Sequence, residues 1–177
     1  EVFLEAALPG CKVKLEPISE PVLPDFRPTF NLGYSYLGGE HAITMGGGVD
    51  IGIPLTRDRE TELIFGPRFQ FMQQQAGAHR EAFLAGVQAG LEHRPFAGDW
   101  TPTVGVFAGT GAYHESQRDK PAWTESYLEG GGSVGFSTPY VGMMFSGKAE
   151  LAGGNAFVKD KEDVKWFRAG VSAVLEF

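Results

Sequence analysis

Apolar and polar residues alternate along most of this chain with a period of two. Within 40–54, Ile43 and Val49 fall on one face, whereas Thr44 and Asp50 fall on the other. Such alternation is typical of a β-strand, because successive side chains point to opposite faces. Eight segments of this kind, separated by polar or Gly-, Pro- and Asp-rich breaks, are predicted as strands: 29–37, 40–54, 61–74, 81–94, 100–113, 123–137, 140–152 and 164–177.

An all-β fold follows, since no segment has the pattern of an amphipathic helix. At 177 residues the chain fits one domain, and an even number of strands suits a closed, eight-stranded antiparallel up-and-down β-barrel. We assign residues 29–177 to the barrel. Residues 1–28 carry five prolines, which remove ladder donors and favour extended polyproline geometry. They are predicted to form a Pro-rich N-terminal arm outside the barrel.

The direction of the apolar face decides what kind of barrel this is. Alternation alone fits a soluble barrel with an apolar interior and a membrane barrel whose apolar face meets lipid. A soluble exterior normally carries Lys, Glu and Thr, but the second face here is mostly Gly and Ser with a few charges. The chain has 25 glycines beside 14 phenylalanines, which suits a cramped interior and an apolar outside. We therefore predict a transmembrane β-barrel.

Charged residues on the small-residue face are predicted to lie inside the barrel and to neutralise one another. Paired, hydrogen-bonded charges are the tolerable way to bury ionised groups. Solvated surface charge is the alternative, which the glycine-rich surroundings disfavour. The predicted interior network consists of Asp50, Arg68 and Glu92 on three neighbouring strands and Glu129, Lys148, Glu150 and Arg168 on three others.

Connection lengths give an independent expectation, because membrane barrels keep short turns at one end and longer loops at the other. The connections after the odd strands should be long and those after the even strands short. Residues 114–122 and 153–163 are predicted as long polar loops, and 137–139 as a tight turn. The connection 38–39 is shorter than this rule expects.

The last segment, 166–177, has alternating apolar positions, an internal Gly170, Leu175 and a terminal Phe177. It resembles the C-terminal signal of bacterial outer-membrane β-barrel proteins. The pattern of residues 29–177 is similar to the eight-stranded transmembrane domain of the outer-membrane protein A type. This resemblance implies a place in the bacterial outer membrane, contact with outer-membrane lipid, and engagement of the barrel-assembly machinery through Gly170, Leu175 and Phe177.

Charge and composition exclude several classes of function. The net charge is −7, and the fifteen basic residues are scattered, which argues against a nucleic-acid partner. The single cysteine, Cys11, permits no internal disulfide and no cysteine-based metal site. The four histidines have no pair at metal-ligand spacing. We therefore expect neither a metal nor a cofactor.

The leading functional hypothesis is a non-enzymatic envelope anchor or partner-docking protein, acting through residues 1–28 or the loops. Eight strands enclose only enough space for side chains or one small ligand, so an open porin is not expected. A preordered extended arm loses little entropy on docking, which makes it the preferred partner-binding element.

Two alternatives belong to other classes. His114-Glu115-Ser116 resembles the close His and Ser of outer-membrane lipid A deacylases, which would make the protein a membrane-embedded lipid-modifying enzyme. It falls in a predicted loop and lacks the Asn that follows in that family. The other alternative is a soluble lipocalin-like carrier, whose apolar face would line a ligand cavity.

Overall fold

The computed structural model describes residues 24–56, 59–74, 80–96, 99–118, 120–159 and 162–177, with the backbone of 3–5 and 12–14. Strand β1 (Phe3–Glu5) pairs with β2 (Lys12–Lys14) as a separate two-stranded antiparallel sheet. The rest of the predicted arm up to residue 23, including its role in partner binding, lies outside the described residues.

Eight further strands form a closed barrel in which each strand pairs antiparallel with its neighbours. They are β3 (Asp25–Leu37), β4 (Glu40–Pro54), β5 (Thr61–Gln74), β6 (Glu81–His93), β7 (Thr101–Gln117), β8 (Lys120–Tyr140), β9 (Met143–Ala156) and β10 (Val164–Glu176). Strand β10 closes the barrel against β3, from the pair Trp166 and Leu37 to the pair Val174 and Thr29. The predicted eight-stranded antiparallel barrel is confirmed. Among the described residues, no helix is long and apolar enough to cross a membrane.

The apolar face points outward on every strand of the barrel. Phe30, Val87 and Val171 are each about 60% exposed, whereas the Arg27 side chain inside is 1% exposed. An exterior of aliphatic and aromatic side chains around a polar interior is the arrangement of a lipid-facing barrel. The soluble lipocalin-like alternative was wrong, because it required the apolar side chains to line the interior.

Strand β3 begins at Asp25, inside the segment that the prolines assigned to the arm. Phe26 and Phe177 exchange backbone hydrogen bonds, with N–O distances of 3.4 and 3.1 Å. Pro28 lies opposite Val49 of β4 and just beyond the last residue pair between β3 and β10. Because proline has no N–H to donate, the pairing with β10 is interrupted at Pro28 and resumes at Phe26.

The predicted tight turn at 137–139 was wrong, since these residues belong to β8 and the turn is Val141-Gly142. Both turn residues have positive φ, 46° and 81°. A two-residue hairpin with a type I′ turn requires positive φ at both of its central residues. Glycine adopts that conformation freely, but valine is strained in it because of its branched Cβ.

The predicted alternation of long and short connections was also wrong. Strand β7 continues to Gln117 and β8 begins at Lys120, so most of the expected loop at 114–122 is strand. The segments 55–60 and 94–100 at one end of the barrel match 75–80 and 157–163 at the other in length. We call the end with Asp25 and Glu176 the lower end, and the end where β3 turns into β4 the upper end.

Candidate functional site

The lower end of the interior is filled by charged side chains around Arg27. Its Nη2 donates to Glu62 Oε2 at 2.5 Å and lies 3.4 Å from Glu176 Oε2. The same nitrogen donates to Asp25 Oδ2 at 3.3 Å, and Nη1 is 3.8 Å from Glu92. A guanidinium this deeply buried persists only where carboxylates surround it.

A second arginine joins the same carboxylates. Arg94, just after β6, lies 2.6 Å from Glu176, 3.0 Å from Glu92 and 3.4 Å from Glu62. Burial disfavours its charged form, but these carboxylates outweigh the effect and raise the pKa of the guanidinium. Lys148 forms an ion pair with Glu92, and Arg59 lies 2.8 Å from Asp25.

The lower charge cluster is balanced. It contains four basic groups and four carboxylates, namely Arg27, Arg59, Arg94, Lys148, Asp25, Glu62, Glu92 and Glu176. Because every member has an oppositely charged neighbour, the cluster fills the lower interior without a net charge.

Further ion pairs lie at mid-height. Arg68 pairs with Asp50 on the adjacent strand β4, and Arg168 Nη1 donates to Glu150 Oε2 at 3.1 Å. The cavity among Asp50, Arg68, Lys148 and Glu150 has a volume of about 40 Å³. A cavity measured in this way needs roughly 10–15 Å³ to hold one water. This part of the interior therefore has room for a few water molecules.

The upper end is filled by apolar side chains. Tyr113 stacks on Trp166 with ring centroids 5.6 Å apart, and it contacts Trp123 at 5.3 Å. Tyr127 meets the edge of Trp166 at 5.9 Å. Buried apolar residues pack around the rings. The aromatic plug comprises Leu37, Ala42, Met72, Ala82, Leu84, Tyr113, Tyr127, Ala156 and Trp166, with Trp123 and Val164 packed against it.

Several solved structures share this fold. Neisserial surface protein A has a TM-score of 0.59 and 9% identity, over 87% of this chain and 97% of that one. Ail, the attachment invasion locus protein of Yersinia pestis in complex with the heparin analogue sucrose octasulfate, has a TM-score of 0.51 and 13% identity, over 87% and 97%. The fold is that of the small outer-membrane β-barrels. No protein-family model matches the sequence, and no curated protein matches it.

In this outer-membrane barrel fold, the seven charged residues predicted for the interior all lie on the inward-facing side of their strands. The pairing differs from the sequence grouping. Asp50 pairs with Arg68, and Glu150 pairs with Arg168, each on adjacent strands. Glu92 pairs with Lys148 across the barrel and so joins the two predicted groups. Glu129 is buried on β8.

Sequence reasoning missed Arg27, Glu62, Arg94 and Glu176, which form the centre of the lower charge cluster. Arg27 lies within the predicted arm, residues 1–28, and is therefore absent from the predicted interior network. The period-two pattern of β3 would have found it, since Arg27 shares the inward face with Asn31 and Ser35.

The residues of the predicted assembly signal occupy two faces of β10. Gly170 faces inward and lies against Gly33 of β3, where an added Cβ would come within 2.7 Å of the Leu32 carbonyl oxygen. Leu175 lies on the outward face, and Phe177 after it is exposed. The close backbone approach explains the glycine structurally. The role of these residues in assembly stays a prediction.

His114, Glu115 and Ser116 lie within β7, so their placement in a loop was wrong. Alternation separates them: Glu115 is buried inside, whereas His114 and Ser116 share the outward face. The Nδ1 atom of His114 forms a hydrogen bond of 2.8 Å with Thr124 Oγ1. Ser116 lies opposite Glu81 of β6. Among the residues that the structure describes, no group of three or more His, Cys, Asp or Glu side chains could hold a metal.

Proposed function

We propose that this protein is a non-enzymatic outer-membrane barrel that anchors in the envelope and docks a partner through its N-terminal arm or its loops. The observation that carries the proposal is the filling of the barrel. Charged pairs occupy the lower end, and packed aromatic rings occupy the upper end. The mid-height cavity of about 40 Å³ is far smaller than the roughly 300–1,000 Å³ of drug-sized ligand pockets.

Because the interior is filled, we expect the surfaces that bind a partner to lie outside the barrel, on its loops and its arm. Loops and termini carried on a rigid scaffold are where binding residues concentrate. The arm leaves the barrel at the lower end, next to the hydrogen bonds between Phe26 and Phe177. A proline-rich segment is preordered, which limits the entropy lost on docking.

Deleting the arm tests this proposal, and the deletion must stop at residue 23. A deletion through residue 28 would remove Arg27 and destabilise the barrel itself. We expect the protein without residues 1–23 to lose its cross-linked partner in intact cells while keeping its heat-modifiable shift on gel electrophoresis. A Gly/Ser linker of equal length in place of the arm is the control for tethering. Undiminished cross-linking in both variants would refute docking through the arm.

One observation favours a second candidate, a lipid-modifying enzyme. His114 and Ser116 stand on the lipid-facing side of β7, and Thr124 fixes one ring nitrogen of the imidazole. A serine activated by a histidine is the minimum for acyl transfer. If this candidate is correct, Ser116→Ala abolishes a change in lipid A acylation seen by mass spectrometry. Ser126→Ala, which removes another outward hydroxyl, should leave it unchanged. Identical lipid profiles with and without the protein would eliminate the enzyme.

A further inference from the structure

A cavity of about 250 Å³ opens at the upper mouth of the barrel, beside the aromatic plug. Pockets for drug-sized ligands usually measure about 300–1,000 Å³. This cavity therefore suits a ligand of about one six-membered ring with its substituents. Its walls come from three strands and from the segments next to them. The residues around it are Arg80, Glu115, Gln117, Lys120, Trp123 and Glu162, with Pro121, Val158 and Val164.

The apolar surface of the cavity is held in place from inside the barrel. Trp123 lines the cavity and is half-buried, with its ring centroid 5.3 Å from that of Tyr113. Tyr113 in turn stacks on Trp166 at 5.6 Å with an angle of 15° between the rings. Because this stack supports it, the indole of Trp123 does not have to be ordered when a ligand arrives. Preordered aromatic surface binds with little entropic loss.

The polar side of the cavity is built around one buried carboxylate. Glu115 is 2% exposed, and it accepts hydrogen bonds from the Tyr113 hydroxyl at 2.7 Å and from Gln117 Nε2 at 2.9 Å. Arg80 Nε lies 3.0 Å from the same group. These contacts fix the Gln117 amide and the Arg80 guanidinium at the wall. An amide keeps a second N–H and a carbonyl oxygen free to meet a ligand.

Among the described residues that line the cavity, positive and negative charges are equal in number. Arg80 and Lys120 are offset by Glu115 and Glu162. A phosphate, sulfate or ammonium ligand would meet a group of its own sign as well as a partner, and like charges placed together oppose binding. The lining therefore favours a neutral ligand that combines an apolar face with polar edges.

We propose that this cavity binds a single neutral pyranose ring. The C–H face of a pyranose can lie on the Trp123 indole, and its hydroxyl groups can exchange hydrogen bonds with Gln117, Lys120 and Glu162. A pyranose carries an apolar C–H face and a rim of hydroxyl groups, which matches the indole and the polar side chains of this lining. The inference deepens the proposed docking role of the loops, on which it rests, by naming the chemistry of the ligand. It does not involve the arm.

The test is a titration of the full-length protein in detergent with the methyl glycosides of glucose, galactose, mannose and N-acetylglucosamine. Binding is measured by calorimetry and by tryptophan fluorescence. We expect saturable binding of at least one glycoside. Trp123→Ala should weaken it by roughly tenfold or more, because a central aromatic contact carries much of the binding energy. Trp100→Ala is the matched control, since Trp100 is exposed at the lower end. It should leave binding unchanged.

Gln117→Ala separates recognition from folding, because Gln117 lies outside the aromatic plug. It should weaken binding by about fivefold while the barrel keeps its heat-modifiable shift. Sucrose octasulfate is the anionic probe: tighter binding of this polyanion than of every neutral glycoside overturns the proposal. So does the absence of saturable binding, or binding that Trp123→Ala leaves intact. Neither result affects the arm-deletion test, and the protein without residues 1–23 should bind the glycoside normally.

Discussion

The two ends of the barrel interior are filled by side chains of opposite character, charged at the lower end and aromatic at the upper end. At the lower end, Arg27 and Arg94 are held among carboxylates, and each charge depends on its partners. At the upper end, Tyr113 and Trp166 fill the space mainly with stacked aromatic rings. A buried charge that loses its partner is left uncompensated, whereas a truncated apolar residue leaves only a cavity. The lower end should therefore be the more sensitive to single substitutions.

The largest effect is expected for Arg27→Ala. It leaves Glu62 and Glu176 short of a positive partner, and breaking a buried ion pair on one side costs about 3–5 kcal/mol. The measurement is the free energy of unfolding in urea with lipid vesicles or detergent, read by the heat-modifiable band. Arg59→Ala is the control, since Arg59 is 39% exposed, and should change stability by less than about 1 kcal/mol.

A second substitution shows whether charge causes the loss. Adding Glu62→Gln to Arg27→Ala restores the balance of charges in the lower charge cluster, so the double variant should be more stable than Arg27→Ala alone. If the losses of stability caused by Arg27→Ala and by Glu62→Gln simply add in the double variant, then lost packing, and not an uncompensated charge, dominates the lower end.

A smaller effect is expected in the aromatic plug. Leu84→Ala removes a fully buried side chain and should reduce the free energy of unfolding by about 2–3 kcal/mol through lost burial and a residual cavity. Leu91→Ala, on the lipid-facing side of the same strand, is the control. A loss for Leu84→Ala larger than that for Arg27→Ala would reverse the contrast between the two ends.

The smallest loss of stability is expected at Tyr113, where the aromatic plug contacts the Glu115 carboxylate. Tyr113→Phe keeps the stacked ring but removes the hydroxyl that donates to Glu115 at 2.7 Å. Because Gln117 and Arg80 still contact this carboxylate, the loss should be about 1 kcal/mol. The same unfolding measurement decides it. No measurable change would mean that the plug and the carboxylate network act independently.

The sequence predicts the faces of the strands well, because one period-two rule governs every strand. Met45, Phe65 and Phe83 point outward as their alternation requires. It fails where closure of the barrel overrides local propensity. Pro28 is part of the predicted arm, yet β3 passes through it, because the hydrogen bonds between Phe26 and Phe177 hold the strand to the barrel beyond the proline. Val141 gave no turn signal, since valine is a poor residue for a left-handed turn.

The candidate site was less accessible from sequence than the fold. Which charges lie inside follows from alternation, as for Asp50 and Arg68. Which charges meet across the interior depends on the diameter and stagger of the closed barrel. Glu92 on β6 and Lys148 on β9 are separated by two strands along the wall, and no local pattern pairs them. The cavity at the upper mouth depends on how side chains from different strands pack around Trp123, and no local sequence pattern predicts it either.

The seam between β3 and β10 has a consequence for the order of folding. Every other seam joins strands that follow one another in sequence, but this one brings Thr29 to Val174. Contacts between residues so far apart in sequence form late, because a long chain must be closed first. We expect an intermediate that is an open, curved sheet, with the hydrogen-bonding edges of β3 and β10 unpaired. Until the last strand arrives, those two edges are where another strand could be accepted or exchanged.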